Sequence, residues 1–474
     1  MIKLIFLKEL RVYLYSLRFS LSLVLGMAVF LLAGITFTRE MGYRLDFYQT
    51  SADDLYSRLP GEKPITLNAI LENDYAFYPR PRSTILINAG NENKLPSTYW
   101  SYRCRPGSMW GDEVWSRGLV SYWAGENFLI ARFLDLDWNF VVGVILSFLA
   151  LVLVYDGISG EKEDRTLALT LSTRVSRLEL FWGKYLAAMV VVLIVLITGI
   201  IVSVLTVIIS GGGEHLTREW LLRAGIASIA FSIYLSIFVL LGLAGSALFS
   251  RSSISMVFLL FVWFLLVWTL PNTGRVLGNW FKPVKPTRQA WEEIQEPYNK
   301  LWSSGEIRNL AQKKEYKKID SQLLEAETLV GENLRNCIYD SFDQVVFGRR
   351  ATFISPFSVL SSMTETISAT GLYYLEHYFP QITEYNMALR EFIRGKDSQD
   401  PDSPHYRSFT MRGRMGISER EFSRDELPRF KEKTITLGQS LADSLPYWLG
   451  LVIFNLVFGL VGYFLLYRYD TRAQ

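Results

Sequence analysis

Six long stretches of the chain contain no Asp, Glu, Lys, Arg or His, and they limit the possible folds more than any other feature of the sequence. A helix needs about 20 residues to cross a bilayer, at about 1.5 Å of rise per residue, and each stretch is close to this length. We therefore predict a mainly α, polytopic membrane protein with six transmembrane helices. The predicted spans are residues 19–37, 138–155, 185–209, 224–249, 252–270 and 447–467.

The composition indicates a membrane core joined to sizeable aqueous parts. Half of the 474 residues are hydrophobic, yet 20% are charged, which is too many for a chain made of spans alone. The net charge of +3 is too small to indicate a nucleic-acid partner. The first apolar run is longer than the core of a usual signal peptide and has no A-x-A-like cleavage site, so we expect it to be retained as a span.

Lysine and arginine in short flanks predict the side of the membrane, because cytoplasmic flanks carry the excess of positive charge. Six spans with both termini inside place four basic segments in the cytoplasm: 1–18, 156–184, 250–251 and 468–474. The segments that are then outside are 38–137, 210–223 and 271–446. The two long ones are also rich in basic residues, but long loops are translocated largely regardless of charge.

The two long outside segments differ in pattern. Segment 38–137 mixes Pro, Gly and aromatic residues with short alternating pieces, and it predicts a small α+β unit with a strand at 83–88. Segment 271–446 has apolar residues at helical spacing, and it predicts long helices with a break near 303–305. We expect a further helix at 356–379, packed near the membrane.

The two cysteines, Cys104 and Cys337, both fall in predicted outside segments, where a disulfide is permitted. A bond between them and two unpaired, buried cysteines both remain open, because spacing alone does not establish pairing.

The N-terminal segment, 1–18, is apolar with scattered basic residues. Lys8, Arg11 and Arg18 fall within one quadrant of a helical wheel. This pattern indicates a helix lying on the membrane surface, with an early start of the first span as the alternative.

The segment 156–184, which joins the second and third predicted spans, is too regular for a flexible linker. Its charges come first and its apolar residues then recur at helical spacing, so we expect two short helices on the membrane surface. Ser176 and Glu179 have the spacing of a capping box at the start of the helix that enters the third span. The segment is either a docking site for a soluble partner or a solvated loop.

No arrangement of residues predicts catalysis or metal binding by this chain. No Gly-x-x-x-x-Gly-Lys-Ser/Thr motif occurs, so we expect no ATP binding of the P-loop kind. The predicted spans lack the ionisable residues of proton-coupled carriers, and we expect Asn455 to bond a neighbouring helix. The histidines are scattered, and residues 396–404 predict a mobile loop rather than a calcium site.

The loop after the second predicted span contains a series of residues with a recognisable spacing. They are Asp156, Ile158, Glu161-Lys162-Glu163, Thr166-Leu167, Leu171-Ser172, Val175-Ser176-Arg177 and Gly183-Lys184. With these residues, the loop resembles that of ABC-2 type (type-2) ABC transporter permeases. Arg165 stands where these permeases usually have Gly, and Arg174 stands where they usually have Pro.

Further residues are similar to a subgroup of these permeases that carries large extracytoplasmic insertions, such as the gliding-motility and nitrous-oxide-reductase-maturation permeases. They are 354–360, 369–371, 373, 378–379 and 467–472.

The resemblance implies the permease subunit of an ATP-driven exporter in the bacterial cytoplasmic (inner) membrane, not an enzyme in its own right. ATP and magnesium would bind to a separate ABC ATPase, present in two copies, and this chain would hold no cofactor. The other implied partners are a second permease copy or a sister permease, the lipid bilayer and an extracytoplasmic protein. The alternative is a mechanical transducer that drives an extracytoplasmic partner without solute transport.

By the same resemblance, the helix around 160–167 is the coupling helix, and 1–18 is the connecting helix that also touches the ATPase, with Lys8, Arg11 and Arg18 on it. Glu161, Glu163 and Arg165 would face the ATPase. The implied coupling residues are Gly160, Glu161, Lys162, Glu163, Arg165, Thr166 and Leu167.

Overall fold

The computed structural model describes residues 2–52, 65–67, 70, 76–77, 79–90, 99–100, 136–172, 175–285, 287–403 and 417–468. Within these ranges, six helices are long and apolar enough to cross a membrane, and each overlaps one predicted span. The prediction of a mainly α chain with six candidate spans is confirmed. The six are Leu17–Thr50, Trp138–Glu163, Arg177–Ile209, Arg218–Leu248, Ser252–Phe281 and Leu437–Tyr467.

We number the helices in chain order. The first seven are α1 (Ile2–Leu14), α2 (Leu17–Ala52), α3 (Trp138–Phe140, a π-helical turn at Val141–Leu146, then Ser147–Val154), α4 (Ser159–Glu163), α5 (Thr166–Ser172), α6 (Arg177–Ile209) and α7 (Arg218–Leu248). The others are α8 (Ser252–Trp263, a π-helical turn at Phe264–Thr269, then Leu270–Phe281), α9 (Thr287–Ser303), α10 (Glu306–Gln312), α11 (Tyr316–Ala351), α12 (Pro356–Ser368), α13 (Gly371–Ser398) and α14 (Leu437–Tyr467).

Hydroxyl side chains fix where three of the long helices begin. Ser176 accepts a hydrogen bond from the N–H of Glu179, and the Glu179 carboxylate accepts one from the Ser176 N–H, so the predicted capping box is confirmed. Thr217 caps α7 and Thr436 caps α14 through their side chains. Each cap satisfies an N–H group that has no partner inside its helix, which contributes about 1 kcal/mol.

The six long helices form a bundle with two distinct ends. The loop end holds α1, α4, α5 and the turn 249–251, and there Arg18 pairs with Asp156 while Arg177 donates to the backbone oxygen of Tyr467. The insertion end lies opposite and carries α9 to α13. The described parts of the loop segments that the sequence assigns to one side of the membrane therefore lie at one end of the bundle.

Aromatic side chains fill the bundle near its insertion end. The fully buried ring of Trp138 meets Trp220 edge-on at 5.7 Å between centroids and Phe30 at 6.3 Å. Its indole N–H donates to the Ser203 hydroxyl at 2.9 Å. Edge-to-face contacts of this kind are favourable, and these join α2, α3, α6 and α7.

Helix α12 is a buried helix that packs among the spans at the insertion end. Both π-helical turns contact it: Gly143 of α3 lies against the ring of Phe357, and the backbone oxygen of Leu266 in α8 accepts a hydrogen bond from Ser355. A Cβ on Gly143 would lie 2.2 Å from the Phe357 ring, so any other residue there would force the ring to move. Single π-helical turns often occur at functional sites in helices.

The single helix predicted at 356–379 is wrong, because the chain turns between α12 and α13. Ala369 has φ 51° and Gly371 has φ 59°, both left-handed, which ends α12. A Cβ on Gly371 would come within 2.6 Å of the Gly90 backbone oxygen, so the close approach of the two outside segments also requires glycine.

The predicted break in the long insertion is confirmed. Helix α9 ends at Ser303, and Gly305, with φ 70°, starts α10. Cys337 is half-buried in α11, whereas Cys104 lies outside the described residues, so the disulfide between them stays a prediction.

The strand predicted at 83–88 is wrong. Ser83–Leu86 is a 3-10 helix, and Ile85, Leu86 and Ile87 are all buried, so the residues do not alternate between two faces as in a half-buried strand. The described β structure in this insertion is one antiparallel pair, Ala76–Phe77 with Tyr99–Trp100, and an antiparallel bridge between Ile65 and Phe422 of the long insertion. Most of the insertion lies outside the described residues.

The mobile loop predicted at 396–404 is also wrong for its described part. Asp397 is buried and accepts hydrogen bonds from the Ser403 hydroxyl at 2.6 Å and the Ser418 N–H at 2.8 Å. Asp400 is buried and accepts one from the Ser418 hydroxyl at 2.6 Å. Partners from a distant segment, which local composition does not reveal, hold these carboxylates in place.

Candidate functional site

The loop between α3 and α6 forms two short helices, α4 and α5, as predicted. Among the residues implied for coupling, Glu163, Arg165 and Thr166 are exposed. Lys162 and Leu167 are buried, and Gly160 is half-buried. We call five exposed residues at the turn between α4 and α5 and on α5 the loop face: Glu163, Asp164, Arg165, Thr166 and Leu169.

Helix α4 is attached to the turn between α7 and α8 by reciprocal capping. The Ser246 hydroxyl, on α7, accepts hydrogen bonds from the N–H groups of Ile158 and Ser159, both at 2.8 Å, at the start of α4. In return, Lys162 donates to the backbone oxygens of Ala247 and Phe249 at the end of α7. Each helix therefore satisfies terminal backbone groups of the other.

A third contact extends this attachment to α8. The Glu163 carboxylate accepts a hydrogen bond from the N–H of Ser252, the first residue of α8, at 3.2 Å. A carboxylate at a helix N-terminus also interacts favourably with the helix dipole. Three residues of α4, Ser159, Lys162 and Glu163, thus bind this helix to two spans, α7 and α8.

A buried ion cluster attaches the other side of α4. Lys184 of α6 is 1% exposed at its side chain, and its Nζ lies 2.8 Å from Glu161 of α4 and 3.0 Å from Glu9 of α1. The expectation that Glu161 faces a partner is therefore wrong, because its carboxylate turns inward to this cation. Lys8 lies at the exposed edge of the cluster, 3.6 Å from Glu9 and 3.8 Å from Glu161.

The three basic residues predicted to share one surface helix do not do so. Helix α1 ends at Leu14, and Ser16 donates to the Tyr13 backbone oxygen at 2.6 Å and caps α2 by accepting from the Phe19 N–H at 3.2 Å. Arg18 therefore belongs to α2, where it pairs with Asp156 at 2.8 Å.

The other two basic residues, Lys8 and Arg11, stay on α1 and are exposed. On the opposite face of α1, Tyr13 is buried, and burial raises the pKa of its hydroxyl above the ordinary value, so it stays neutral. Helix α1 therefore has a packed inner face and an exposed face on which basic residues alternate with apolar ones such as Leu4 and Val12.

Arg165 adopts a backbone conformation that glycine favours. Its φ is 58°, in the left-handed region, between the end of α4 and the start of α5. This explains why a glycine is usual at the position in the permeases that the loop resembles, and why Arg165 carries local strain.

At the insertion end, sequence reasoning missed a buried cation. Arg223 of α7 is 3% exposed; it pairs with Glu219 at 2.8 Å and donates to the backbone oxygens of Ile367 and Ile435. It also donates to the Ser440 hydroxyl at 3.0 Å. A basic residue one position before an apolar run was the only available signal.

Within the spans, the predicted role of Asn455 is confirmed. Its side-chain amide donates to the backbone oxygen of Ile233 at 3.0 Å, and its side-chain oxygen accepts from the Ser236 hydroxyl at 2.6 Å. Ser236 also lies 2.7 Å from the Tyr185 hydroxyl. This polar chain joins α6, α7 and α14, and it satisfies groups that lipid could not.

The six long apolar helices and the loop that binds them at one end define a multi-pass membrane protein. The family model described as ABC-2 family transporter protein matches residues 4–472. The chain therefore belongs to the ABC-2 transporter family, in which the membrane permease component generally works with a separate ABC ATPase. No curated protein matches the chain.

Proposed function

We propose that the chain is the permease subunit of an ATP-driven exporter, and that a separate ABC ATPase docks on the loop face and drives it. Two ATPase copies and a second permease, identical or related, complete the complex. ATP and magnesium bind to the ATPase. The loop end faces the cytoplasm of a bacterium, and the insertion end carries extracytoplasmic helices.

One observation carries this proposal: the loop face is exposed, but the helix beneath it is bonded to three spans. Lys162 and Ser246 bind α4 to α7, Glu163 binds it to α8, and Lys184 binds it to α6. A force applied to the loop face would therefore displace several spans together. Burying a cation is costly unless acceptor groups compensate its charge. Two compensated buried lysines beneath the loop face are therefore not expected of a loop that only faces solvent.

The proposal is tested by changing two exposed loop-face residues that make no buried contact, in the double variant Arg165→Glu/Leu169→Asp. The first change reverses the charge of Arg165, and the second replaces the exposed apolar side chain of Leu169 by a carboxylate. Both changes should weaken docking, so we expect stimulation of the ATPase by the purified permease to fall about tenfold. The measurement is ATP hydrolysis by the ATPase that copurifies with the chain. The wild type and the double variant are each reconstituted in nanodiscs.

The matched control makes the same two changes at exposed positions of the outer helices, in Arg308→Glu/Leu329→Asp. This variant should stimulate the ATPase as the wild type does. Full stimulation by Arg165→Glu/Leu169→Asp would remove the loop face from the docking site.

A second candidate function, a mechanical transducer, is favoured by the way the outside segments are bonded to the spans. Arg223 joins α7 to two parts of the long insertion, the end of α12 and the segment before α14, and Asp137, the cap of α3, accepts a hydrogen bond from the Ala89 N–H at 2.8 Å. Motion of the spans would reach these segments directly. The two functions differ in what stimulates ATP turnover, which is a solute for an exporter and an extracytoplasmic protein for a transducer.

A further inference from the structure

Lys184 lies between α1 and α4, and α4 leads into the loop face on which the proposed function docks the ATPase. Its Nζ bridges Glu9 of α1 and Glu161 of α4, and these carboxylates come from parts of the chain 175 and 23 residues away. The lysine side chain is 1% exposed and the Glu9 side chain is 9% exposed. The bridge therefore lies inside the protein, beneath both elements.

The charges of the cluster balance only when Lys184 is present in its charged form. Two carboxylates share its ammonium group, and Lys8, at 64% exposed, is the only other charged side chain paired with them among the described residues. One oxygen of Glu161 is buried and has no hydrogen-bond partner within the described part of the chain. Without Lys184, the buried Glu9 and the half-buried Glu161 would share only the exposed Lys8, and the repulsion between the two carboxylates would push α1 and α4 apart.

We propose that Lys184 is a positioning residue that joins α1 and α4 into a single unit, so that both move together with α6 when the ATPase acts. Lys184 touches neither nucleotide nor substrate. This inference rests on the proposed function for its consequence, but the union of α1 and α4 is a property of the permease alone.

The alternative is that the cluster only stabilises the fold. Replacing a whole buried ion cluster by neutral side chains is often tolerated, whereas removing one member is strongly destabilising. The triple variant Glu9→Gln/Glu161→Gln/Lys184→Met removes all three charges at once. This variant has no repulsion between the carboxylates of Glu9 and Glu161, so the fold should persist. It also has no ionic bridge between α1 and α4, so any loss of coupling in it reports the positioning role and not the stabilising one.

The experiment measures the distance between spin labels at Lys3 and Ser172, which are exposed residues of α1 and α5. Cys104 and Cys337 are replaced by Ser in every protein, and Lys3 and Ser172 are replaced by Cys to carry the labels. The distances are measured by pulsed electron–electron double resonance on the full chain in nanodiscs. With wild-type charges we expect one narrow distance distribution, unchanged when the ATPase is bound and trapped with nucleotide. Lys184→Met and the triple variant should both give broad distributions.

A second readout is the stimulation of ATP hydrolysis, measured on the same chains without labels. We expect the triple variant to insert, to copurify with the ATPase and to stimulate it about tenfold less than the wild type. If Lys184→Met fails to fold, the triple variant decides. A narrow distribution together with full stimulation in the triple variant would overturn the proposal.

Failure of the proposed function gives a different pattern. In that case the wild type would not stimulate an ATPase at all, yet the isolated permease would still show a narrow distribution with the bridge and a broad one without it. A narrow distribution in all isolated proteins would instead reject the bridge and leave the loop face as the docking site.

Discussion

At the scale of single residues, the turn between α4 and α5 has an unfavourable backbone conformation. Arg165 occupies a left-handed conformation between α4 and α5, which costs a residue with a Cβ about 1 kcal/mol or more. Leu169, 69% exposed, projects an apolar side chain next to it. Backbone strain that the surrounding structure maintains is more frequent at functional sites than elsewhere, which agrees with the docking role proposed for the loop face.

Arg165→Gly should make the isolated permease more stable, by about 1 kcal/mol, because glycine adopts φ 58° without strain. The measurement is thermal unfolding of the purified chain in detergent. Arg165→Ala is the matched control, since it removes the same side chain but keeps the Cβ at the strained position. Equal stability of Arg165→Gly and Arg165→Ala would show that the left-handed backbone at position 165 is not strained.

At the scale of elements, buried cations join helices at both ends of the bundle. Lys162 and Lys184 hold α4 at the loop end, and Arg223 holds the ends of α12 and α14 at the insertion end. Each satisfies several backbone or carboxylate oxygens at once, as a buried charge requires. These side chains make the bundle continuous from the loop face to the outer helices.

Arg223→Met should lower the free energy of unfolding by about 2–3 kcal/mol, because the backbone oxygens of Ile367 and Ile435 would lose a charged donor. Hydrogen exchange should accelerate around these two residues. Arg218→Met, at an exposed position of the same helix, should change neither quantity. Similar exchange in both variants would show that Arg223 does not hold the insertion.

The sequence predicted the elements whose signal is local and missed contacts that depend on distant partners. The spans follow from apolar runs, and the Ser176–Glu179 box from spacing alone. By contrast, the inward turn of Glu161 depends on Lys184 and α1, and the order around Asp397 depends on Ser418. No local pattern reports such contacts, because the residues meet only after the bundle has formed.

At the scale of the whole molecule, bonded and packed contacts form one continuous path between the two ends of the bundle. It starts at the loop face, passes through α4 into α6, α7 and α8, and reaches the outer helices through Arg223 and the packing of α12 against both π-helical turns. A permease that converts work done on one side of the membrane into movement elsewhere needs such continuity, since a flexible joint would dissipate the motion.

The most direct test of this account is photo-crosslinking from the loop face to the ATPase. A photoreactive amino acid replaces Leu169, and a second protein carries it at Leu329 in the outer helices, both exposed. In the complex that hydrolyses ATP, irradiation should attach the ATPase to position 169 and not to position 329. An active complex in which position 169 captures no ATPase, or in which position 329 captures it, would contradict the account.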